Sequence, residues 1–272
     1  MTAAFQGERG AFSEEAAYKL LGPRVKPLAC PTFPEAFRAV TRGRAEAALI
    51  PIENTLAGSV HENYDLLQEN RLTIHAEVHL RIVHHLIASP GTRLADVRKV
   101  YSHPVALAQC SRFFKRHPRV EKVPFYDTAG SVKMLAADRP IRAAAIASRV
   151  AAEVYGARIL LSHLEDHREN YTRFLLLKRA AGTPKGADKT SIVFSTANLP
   201  GALLKCLSVF SLRDINLTKI ESRPLRGRPW EYCFYLDFIG NVGERRCRDA
   251  LRGLAEVTED LRVLGCYPSA RG

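Results

Sequence analysis

The chain has 272 residues, of which 46% are hydrophobic and 25% are charged, a composition typical of folded globular proteins. Its 40 Lys and Arg against 28 Asp and Glu give a formal net charge of +12, yet no basic run interleaved with aromatic residues indicates a nucleic-acid surface. No apolar run approaches the roughly 20 residues that span a bilayer, and the start lacks a signal-peptide pattern. We therefore expect a cytoplasmic protein that binds neither nucleic acid nor membrane.

Residues 1–180 alternate short strand-like and helix-like segments. "AAFQG" precedes "SEEAAYKLLG", "AEAALIPIEN" precedes "SVHENYDLLQEN", "VRKVYSHP" precedes "ALAQCSRFFKRH", and "AAAIAS" precedes "RVAAEVYG". Repeated strand–loop–helix units predict an α/β fold with a largely parallel sheet. Ser13 is expected to cap the first helix and Gly22 to end it, while Gly43 and Gly156 end two others.

The composition changes at residues 179–189, where Gly, Ala, Lys and Pro without apolar periodicity predict a linker. The rest of the chain reads strand, helix, strand, strand, helix, strand. This βαββαβ order is the ferredoxin-like arrangement. The sequence therefore predicts a larger α/β region followed by a compact C-terminal domain.

Polar residues mark four strand-to-helix junctions of the larger region. Ligands bind at such junctions in α/β folds, because free backbone N–H groups and the helix dipole meet there. The polar residues are Arg9, Glu53, Asn54, Thr55, Ser102, His103, Gln109, Asp127 and Thr128. Each one taken singly is also explained as a helix cap or turn residue, so their convergence on one site is a hypothesis.

Sequence motifs for familiar catalytic chemistry are missing. The chain has no GxSxG, GxxxxGK[ST], GxGxxG or HExxH pattern, and its six cysteines lack the spacing of a zinc site. His84 and His85 are neighbours in an apolar run, where adjacent strand residues face opposite ways, which favours a structural role over metal binding. We expect a site without metal or cofactor, built from hydroxyls, amides and a few charges.

The motifs as a set resemble the prephenate dehydratase family over nearly the whole chain. "GAFSEEAA", "PIENTLAGSVHENYDLL", "YSHPVALAQC", "YDTAGSVKML" and "NYTRFLLL" come in the family's order, and "LPGALLKCLSVFSLRDINLTKIESRP" resembles its regulatory ACT domain. The resemblance implies two periplasmic-binding-protein-like α/β lobes that form a cleft, plus a C-terminal ferredoxin-like ACT domain. The implied boundaries are a catalytic region over 1–182, with lobe one about 1–78 and 160–182 and lobe two about 79–159, a linker over 183–188 and the ACT domain over 189–272.

The resemblance further implies the decarboxylating dehydration of prephenate to phenylpyruvate, CO2 and water in L-phenylalanine biosynthesis, without a cofactor. The family's catalytic positions match Thr172, Arg173 and Phe174. Its substrate-binding positions match Asn54, Thr55, Ser102, Gln109 and Thr128. Thr172 is expected beside the leaving hydroxyl, and Arg173 can pair with a carboxylate. A regular strand would send these two side chains to opposite faces, so the role of Arg173, like that of Glu53, stays open.

The C-terminal region carries two motifs that resemble the family's phenylalanine-binding segments. The matching residues are Asn198, Pro200, Gly201, Ala202, Leu203, Leu204, Glu221, Ser222, Arg223 and Pro224. The resemblance implies allosteric control by L-phenylalanine and a homodimer or homotetramer. Two alternatives remain: an arogenate dehydratase, or a catalytically inactive amino-acid-sensing protein, against which the intact Thr172, Arg173 and Phe174 argue.

Overall fold

The computed structural model describes residues 1–225, 227–228 and 230–270. They form two compact units, the first made of Met1–Asn70 and Val78–Leu176, and the second of Arg71–Glu77 and the chain from Leu177 onward. None of the helices in these residues has the length and apolar character that crossing a membrane requires.

The strands and helices follow one another along the whole chain. The strands are β1 (Thr2–Gln6), β2 (Lys26–Cys30), β3 (Ala47–Asn54), β4 (Gly58–Ser59), β5 (Thr73–Arg81), β6 (His85–Ala88), β7 (Lys99–Ser102), β8 (Glu121–Pro124), β9 (Ala143–Ala147), β10 (Arg158–Leu161), β11 (Tyr171–Lys178), β12 (Lys189–Ser195), β13 (Leu217–Pro224), β14 (Tyr232–Ile239) and β15 (Asp260–Tyr267). The α-helices are α1 (Phe12–Leu21), α2 (Phe33–Thr41), α3 (His61–Glu69), α4 (Pro104–Gln109), α5 (Ser111–Arg116), α6 (Thr128–Asp138), α7 (Arg149–Val154), α8 (Ala202–Ser211) and α9 (Arg245–Val257).

The first sheet has six strands in the order β2-β1-β3-β11-β5, with the short β4 paired to β3. β1 runs parallel to its neighbours β2 and β3, and α1, α2 and α3 pack against these strands. Residues 47–50 of β3 are buried without alternation, which is the pattern of a strand covered on both faces. We call this sheet with α1–α3 the first lobe.

The N-cap of the first helix lies two residues earlier than the sequence predicts. Ala11 is its N-cap and makes no side-chain hydrogen bond, so the predicted cap at Ser13 is wrong, because that residue already lies inside the helix. The buried Glu14 carboxylate instead secures the preceding loop, accepting hydrogen bonds from the Gly10 amide at 2.7 Å and from the Arg9 guanidinium at 3.0 Å. Gly22 ends the helix as predicted, with the left-handed φ of 81° that favours glycine.

The second sheet has five strands in the order β10-β6-β9-β7-β8. β7 is parallel to β8 and β9, whereas β6 is antiparallel to β9 and β10. The sheet is therefore mixed rather than largely parallel. Together with α4–α7 it forms the second lobe, whose apolar core packs on both faces of β9, where all five residues are buried.

The segment "ALAQCSRFFKRH" forms two helices, α4 and α5, where the sequence predicts one. The break falls at Cys110, and the Asp166 carboxylate supplies the reason. It accepts hydrogen bonds from the Ser111 amide at 2.9 Å, the Ser111 hydroxyl at 2.6 Å and the Arg112 amide at 2.9 Å. A carboxylate that bonds free amides in this way caps a new helix start.

The chain passes between the two lobes twice, and the two crossings lie side by side. It leaves the first sheet after Arg81 and returns through residues 162–170, which we call the return segment. The Ile82 amide donates to the Asn170 carbonyl at 2.7 Å. The buried Glu165 carboxylate accepts from the His84 backbone amide at 3.0 Å. The carboxylates of Glu165 and Asp166 in the return segment thus hold neighbouring backbone amides in place.

The second unit contains the predicted βαββαβ module. Its strands form an antiparallel sheet in the order β13-β14-β12-β15, and α8 and α9 cover one face around a core that includes Phe194, Phe210 and Phe238. Within the same unit, Lys189 at the start of β12 forms a buried ion pair with Glu77 at 3.0 Å. The predicted fold class, two α/β lobes followed by a βαββαβ module, is confirmed.

Candidate active site

A cavity of about 540 Å³ is lined by residues of both lobes of the first unit, a volume within the usual range for small-molecule sites. The starts of α1, α2, α3 and α6 line it, so several helix N-termini meet at one place. No lysine or arginine is among the described residues that line the cavity. An anionic ligand would therefore be received by helix-start N–H groups, amides and hydroxyls.

Thr172, the second residue of β11, lines this cavity, and its hydroxyl is held by Asn54. The Asn54 Nδ2 group donates to Thr172 Oγ1 at 3.0 Å and to Asn170 Oδ1 at 2.8 Å, and the Tyr171 carbonyl lies 3.1 Å from the same nitrogen. The other end of the same amide, Asn54 Oδ1, accepts from the backbone amides of Leu56 and Ala57 at 3.0 and 2.8 Å. Because the Thr172 oxygen acts as an acceptor here, its proton is available for donation to a ligand.

Arg173 lies on the opposite face of β11, as strand alternation requires. It lines a separate pocket of about 310 Å³ with Glu53, Thr55 and His79. Arg173 is buried, and its Nη1 lies 3.7 Å from Glu53 Oε1. The cavity and this pocket share Asn54 but not the two neighbouring residues of β11.

Gln109 links the cavity to two residues that sequence reasoning did not select. Its Oε1 lies 3.0 Å from Asn170 Nδ2 and 2.9 Å from His84 Nε2. Asn170 is fully buried and His84 nearly so, and burial lowers the pKa of His84, which keeps its ring neutral. Asn170 stands inside the "NYTRF" motif, but its burial and its two amide partners come from distant parts of the chain.

The remaining site residues divide into two groups. Phe174 and Thr128 line the cavity, and Thr128 begins α6 directly after Asp127, whose carboxylate caps this helix by accepting from the Gly130 amide at 2.7 Å. Burial raises the pKa of Asp127, and the bond from Gly130 opposes that shift.

Ser102 and Thr55 make internal bonds instead. The fully buried Ser102 hydroxyl donates to the Ile146 carbonyl at 2.6 Å, which ties β7 to β9. The Thr55 hydroxyl donates to the Glu169 carbonyl at 2.7 Å and faces the smaller pocket. Of the eight residues predicted for catalysis and substrate binding, those that line the cavity are Asn54, Gln109, Thr128, Thr172 and Phe174.

A clasp of three side chains joins the lobes at the cavity rim. The clasp consists of Glu8, Tyr126 and Lys133. Glu8, in the loop after β1, accepts a hydrogen bond from the Tyr126 hydroxyl at 3.0 Å and forms an ion pair with the Lys133 ammonium group at 2.9 Å. The Tyr126 ring also covers Gly130, where any Cβ would lie within 2.7 Å of the ring. Glycine at this position therefore permits the ring to close over the start of α6.

The residues predicted to bind an effector lie in the second unit. Residues 198–204 form an exposed turn and the first turn of α8, with Gly201 in the left-handed conformation at φ 76°. Residues 221–224 belong to β13, the strand at one edge of the sheet, with Glu221 and Arg223 on one face and Ser222 and Pro224 on the other. The first motif follows β12, and β14 lies between β12 and β13 in the sheet. The two motifs of one chain therefore do not belong to neighbouring strands.

Comparison with known proteins shows which family the chain matches. The family model described as Prephenate dehydratase matches residues 3–182. Arogenate dehydratase/prephenate dehydratase 2, chloroplastic, from Arabidopsis thaliana is 46% identical over 277 residues, which cover 97% of this chain and 72% of the relative.

Two solved structures are similar over almost the whole chain. One is prephenate dehydratase in complex with L-Phe from Arthrobacter aurescens, with 34% identity and a TM-score of 0.90, covering 100% of this chain and 90% of that one. The other is described as GqqA, a novel type of quorum quenching acylases, with 36% identity and a TM-score of 0.92, covering 99% of this chain and 98% of that one.

Proposed function

The chain belongs to the prephenate dehydratase family, and we propose that it converts prephenate to phenylpyruvate, CO2 and water. One observation carries the proposal. The Thr172 hydroxyl lines a cavity between the two lobes, and its oxygen already accepts a hydrogen bond from Asn54. Its proton is therefore directed to a ligand as a hydrogen-bond donor.

This geometry fits what the elimination needs. The bond between the ring and its carboxylate breaks, and its electron pair moves into the ring as the bond to the ring hydroxyl breaks. One proton is taken up by the departing oxygen, so the dianion and a proton give the phenylpyruvate monoanion, CO2 and water. Thr172 supports the departing oxygen by donating a hydrogen bond, and proton transfer is completed from water.

The rest of the cavity receives the substrate's charges and its ring. Gln109 and Thr128 offer an amide and a hydroxyl to the carboxylates, and the nearby helix starts add N–H groups. Phe174 provides an apolar contact for the ring. We assign Arg173, Thr55 and Ser102 to the support of the site, because Arg173 lies beside Glu53 and the hydroxyls of Thr55 and Ser102 donate to the backbone carbonyls of Glu169 and Ile146.

Arogenate is the second candidate substrate, and a specific observation favours it. Glu62 and Asp127 are carboxylates that line the cavity, and an ammonium group needs such a partner where a keto group does not. The Arabidopsis relative carries both activities in its name. The intact Thr172, Arg173 and Phe174 argue against an inactive amino-acid sensor.

We also propose that the second unit's βαββαβ module is an ACT domain through which L-phenylalanine controls turnover. The family match ends at residue 182 and β12 begins at Lys189, which supports a catalytic region over 1–182, a linker over 183–188 and a regulatory domain over 189–272. A similar structure holds L-Phe. Gly201 exposes helix-start amides to an amino-acid carboxylate, and Glu221 can receive its ammonium group. Control then requires a coupling free energy between two sites.

We further propose a homodimer or homotetramer whose chains pair through the same module. Among the described strands, β13 lies at one edge of its sheet, and an edge strand is a place where a second copy can pair. Leu199 and Leu204 within the first effector motif and Ile220 just before the second are exposed hydrophobic residues. A second copy at this edge would cover them and bring one chain's residues 221–224 towards the other chain's residues 198–204.

One assay tests this function. The purified full chain is incubated with prephenate or with arogenate, with and without added L-phenylalanine, while phenylpyruvate or phenylalanine is measured. Turnover of prephenate that L-phenylalanine alters is the expected result, and faster turnover of arogenate would assign the second candidate. Failure to turn over either substrate would refute the dehydratase assignment, and unaltered turnover together with no L-phenylalanine binding in calorimetry would refute the regulatory one.

A further inference from the structure

Building on the proposed function, we infer that His84 and Asn170 are positioning residues that hold the Gln109 amide in one orientation, within a directed chain of hydrogen bonds that joins His84, Gln109, Asn170, Asn54 and Thr172. These five residues form one chain of side-chain contacts, which we call the amide relay. Its direction decides which atoms of Gln109 and Thr172 are presented to a ligand.

The backbone sets the direction at one end of the relay. Leu56 N–H and Ala57 N–H both point at the same oxygen of Asn54. If the Asn54 amide were turned over, its NH2 group would face two N–H donors, and both bonds would be lost. Asn54 must therefore present its NH2 group to Asn170 and Thr172.

The same reasoning passes along the relay. Facing the NH2 group of Asn54, the fully buried Asn170 must present its oxygen, which leaves its own NH2 group for Gln109. Gln109 must then present its oxygen to Asn170 at 3.0 Å. That oxygen also lies 2.9 Å from His84 Nε2. A carbonyl oxygen only accepts, so Nε2 of His84 has to carry a hydrogen.

The environment of His84 agrees with this tautomer. Its Nδ1 is buried and has no hydrogen-bond partner among the residues that the structure describes, so a hydrogen there would be left without an acceptor. Burial lowers the pKa of His84, and the neutral ring carries one hydrogen. That hydrogen is needed on Nε2, where Gln109 can accept it.

The relay determines which groups of Gln109 and Thr172 face the ligand. The Gln109 oxygen is occupied by two donors, so its NH2 group is the end offered to the cavity, where a substrate carboxylate can accept from it. The Thr172 oxygen is occupied by Asn54, so its O–H is offered. Both ends are donors, which suits a dianion in a cavity without a described lysine or arginine.

Packing is the competing explanation for His84. Its ring lies edge-on to Phe12 at 5.4 Å between centroids, and an apolar side chain of similar size could fill the same space. A packing role would not depend on which nitrogen carries the hydrogen, whereas the relay does.

The tautomer can be measured without any substrate. The full chain is labelled with 15N-histidine, and two-bond 15N–1H NMR correlations near pH 7 are recorded for the wild type and for His84→Gln, whose missing signals identify His84. We expect protonated Nε2 and bare Nδ1. A hydrogen on Nδ1, or averaging between tautomers, would overturn the relay. Since this readout needs no turnover, it stands even if the dehydratase assignment fails.

A variant pair then separates positioning from packing. His84→Leu fills the space without a donor, so the Gln109 oxygen keeps only one of its two donors and the amide is held less firmly, and we expect KM to rise about tenfold. His84→Gln retains a donor near the place of Nε2 and should stay within about threefold of wild type. Equal KM values for the two variants at unchanged melting temperatures would contradict a positioning role.

Asn170→Asp provides the test if His84→Leu does not fold. It keeps an acceptor for Asn54 but sets a carboxylate oxygen against the Gln109 oxygen, so we expect both a raised KM and a lowered kcat. Wild-type kinetics in Asn170→Asp would refute the relay.

Discussion

Asn54 and Thr172 are joined by a hydrogen bond of 3.0 Å from Nδ2 to Oγ1, although 118 positions separate them in the chain. The same Asn54 amide caps the turn that follows β3 through its oxygen. One side chain therefore connects the shape of a loop to the direction of the hydroxyl proton in the cavity.

Replacing Asn54 by Asp tests this connection. The Asp carboxylate still accepts from Leu56 and Ala57, so the turn should persist, but the buried Asn170 oxygen loses its donor and the free energy of unfolding should fall by about 1–3 kcal/mol. The donor to Thr172 is lost, and the hydroxyl then turns its proton towards the carboxylate. We expect kcat to fall about 100-fold. Steady-state kinetics beside urea unfolding measure both, and a kcat above a third of wild type would reject the connection.

Arg173 faces away from Thr172, so its replacement should affect stability more than chemistry. Arg173→Gln removes a buried charge from its place near Glu53, and we expect the free energy of unfolding to fall by about 1–3 kcal/mol. The value of kcat should stay within about tenfold of wild type.

A double-mutant cycle supplies the control for Arg173. If the pair with Glu53 matters, Glu53→Gln together with Arg173→Gln should cost less than the sum of the single changes. A loss of kcat as large as that of a Thr172 variant, without loss of stability, would instead give Arg173 a role at the substrate.

The clasp of Glu8, Tyr126 and Lys133 should favour closed lobes over open ones. Tyr126→Phe deletes the donor to Glu8, and the loss of one such bond should raise KM about two- to tenfold while kcat changes little. Lys122→Met is the matched control, because Lys122 lies over the Phe114 ring in the second lobe and not in the clasp. Equal KM values in Tyr126→Phe and the control would exclude a contribution of the clasp to binding.

Acid should destabilise the protein through His85. Burial lowers the pKa of its ring from 6.5 to about 4. Between these values the unfolded chain binds the proton and the folded chain does not, so the free energy of unfolding falls as pH falls from 6.5 towards 4. The share of His85 is roughly 3 kcal/mol over the whole window.

Unfolding experiments at pH 7.5 and pH 5 measure this share. His85→Leu, which cannot titrate, should lose part of the difference in stability between the two pH values. An identical difference in wild type and variant would contradict the assignment to His85.

Much of the fold was predictable because local pattern determines it. The uninterrupted apolar run of β9 predicts a buried strand, and Gly22 predicts the end of α1. The alternation of Thr172 and Arg173 follows from strand geometry alone. The division between α4 and α5 could not be predicted from local pattern, because the cap that creates it comes from Asp166, 55 positions away.

The site was predictable only in part, for the same physical reason. Ser102 ends a strand beside the cavity, but the carbonyl that takes its hydroxyl belongs to Ile146 on another strand. In the sequence, His84 is a histidine within an apolar run. The residues next to it in the chain do not indicate that Gln109 Oε1 lies 2.9 Å from its Nε2. Local sequence shows which polar groups exist, whereas tertiary packing decides which of them remain free for a ligand.

The most direct measurement of the central claim is the turnover of prephenate by Thr172→Ala beside Thr172→Ser. Alanine removes the donor and leaves the fold, so kcat should fall by about 100- to 10,000-fold with an unchanged melting temperature. Serine keeps a hydroxyl for Asn54 and should retain much more of the activity. If Thr172→Ala turns over prephenate at a rate near that of the wild type, Thr172 is not the donor to the departing hydroxyl.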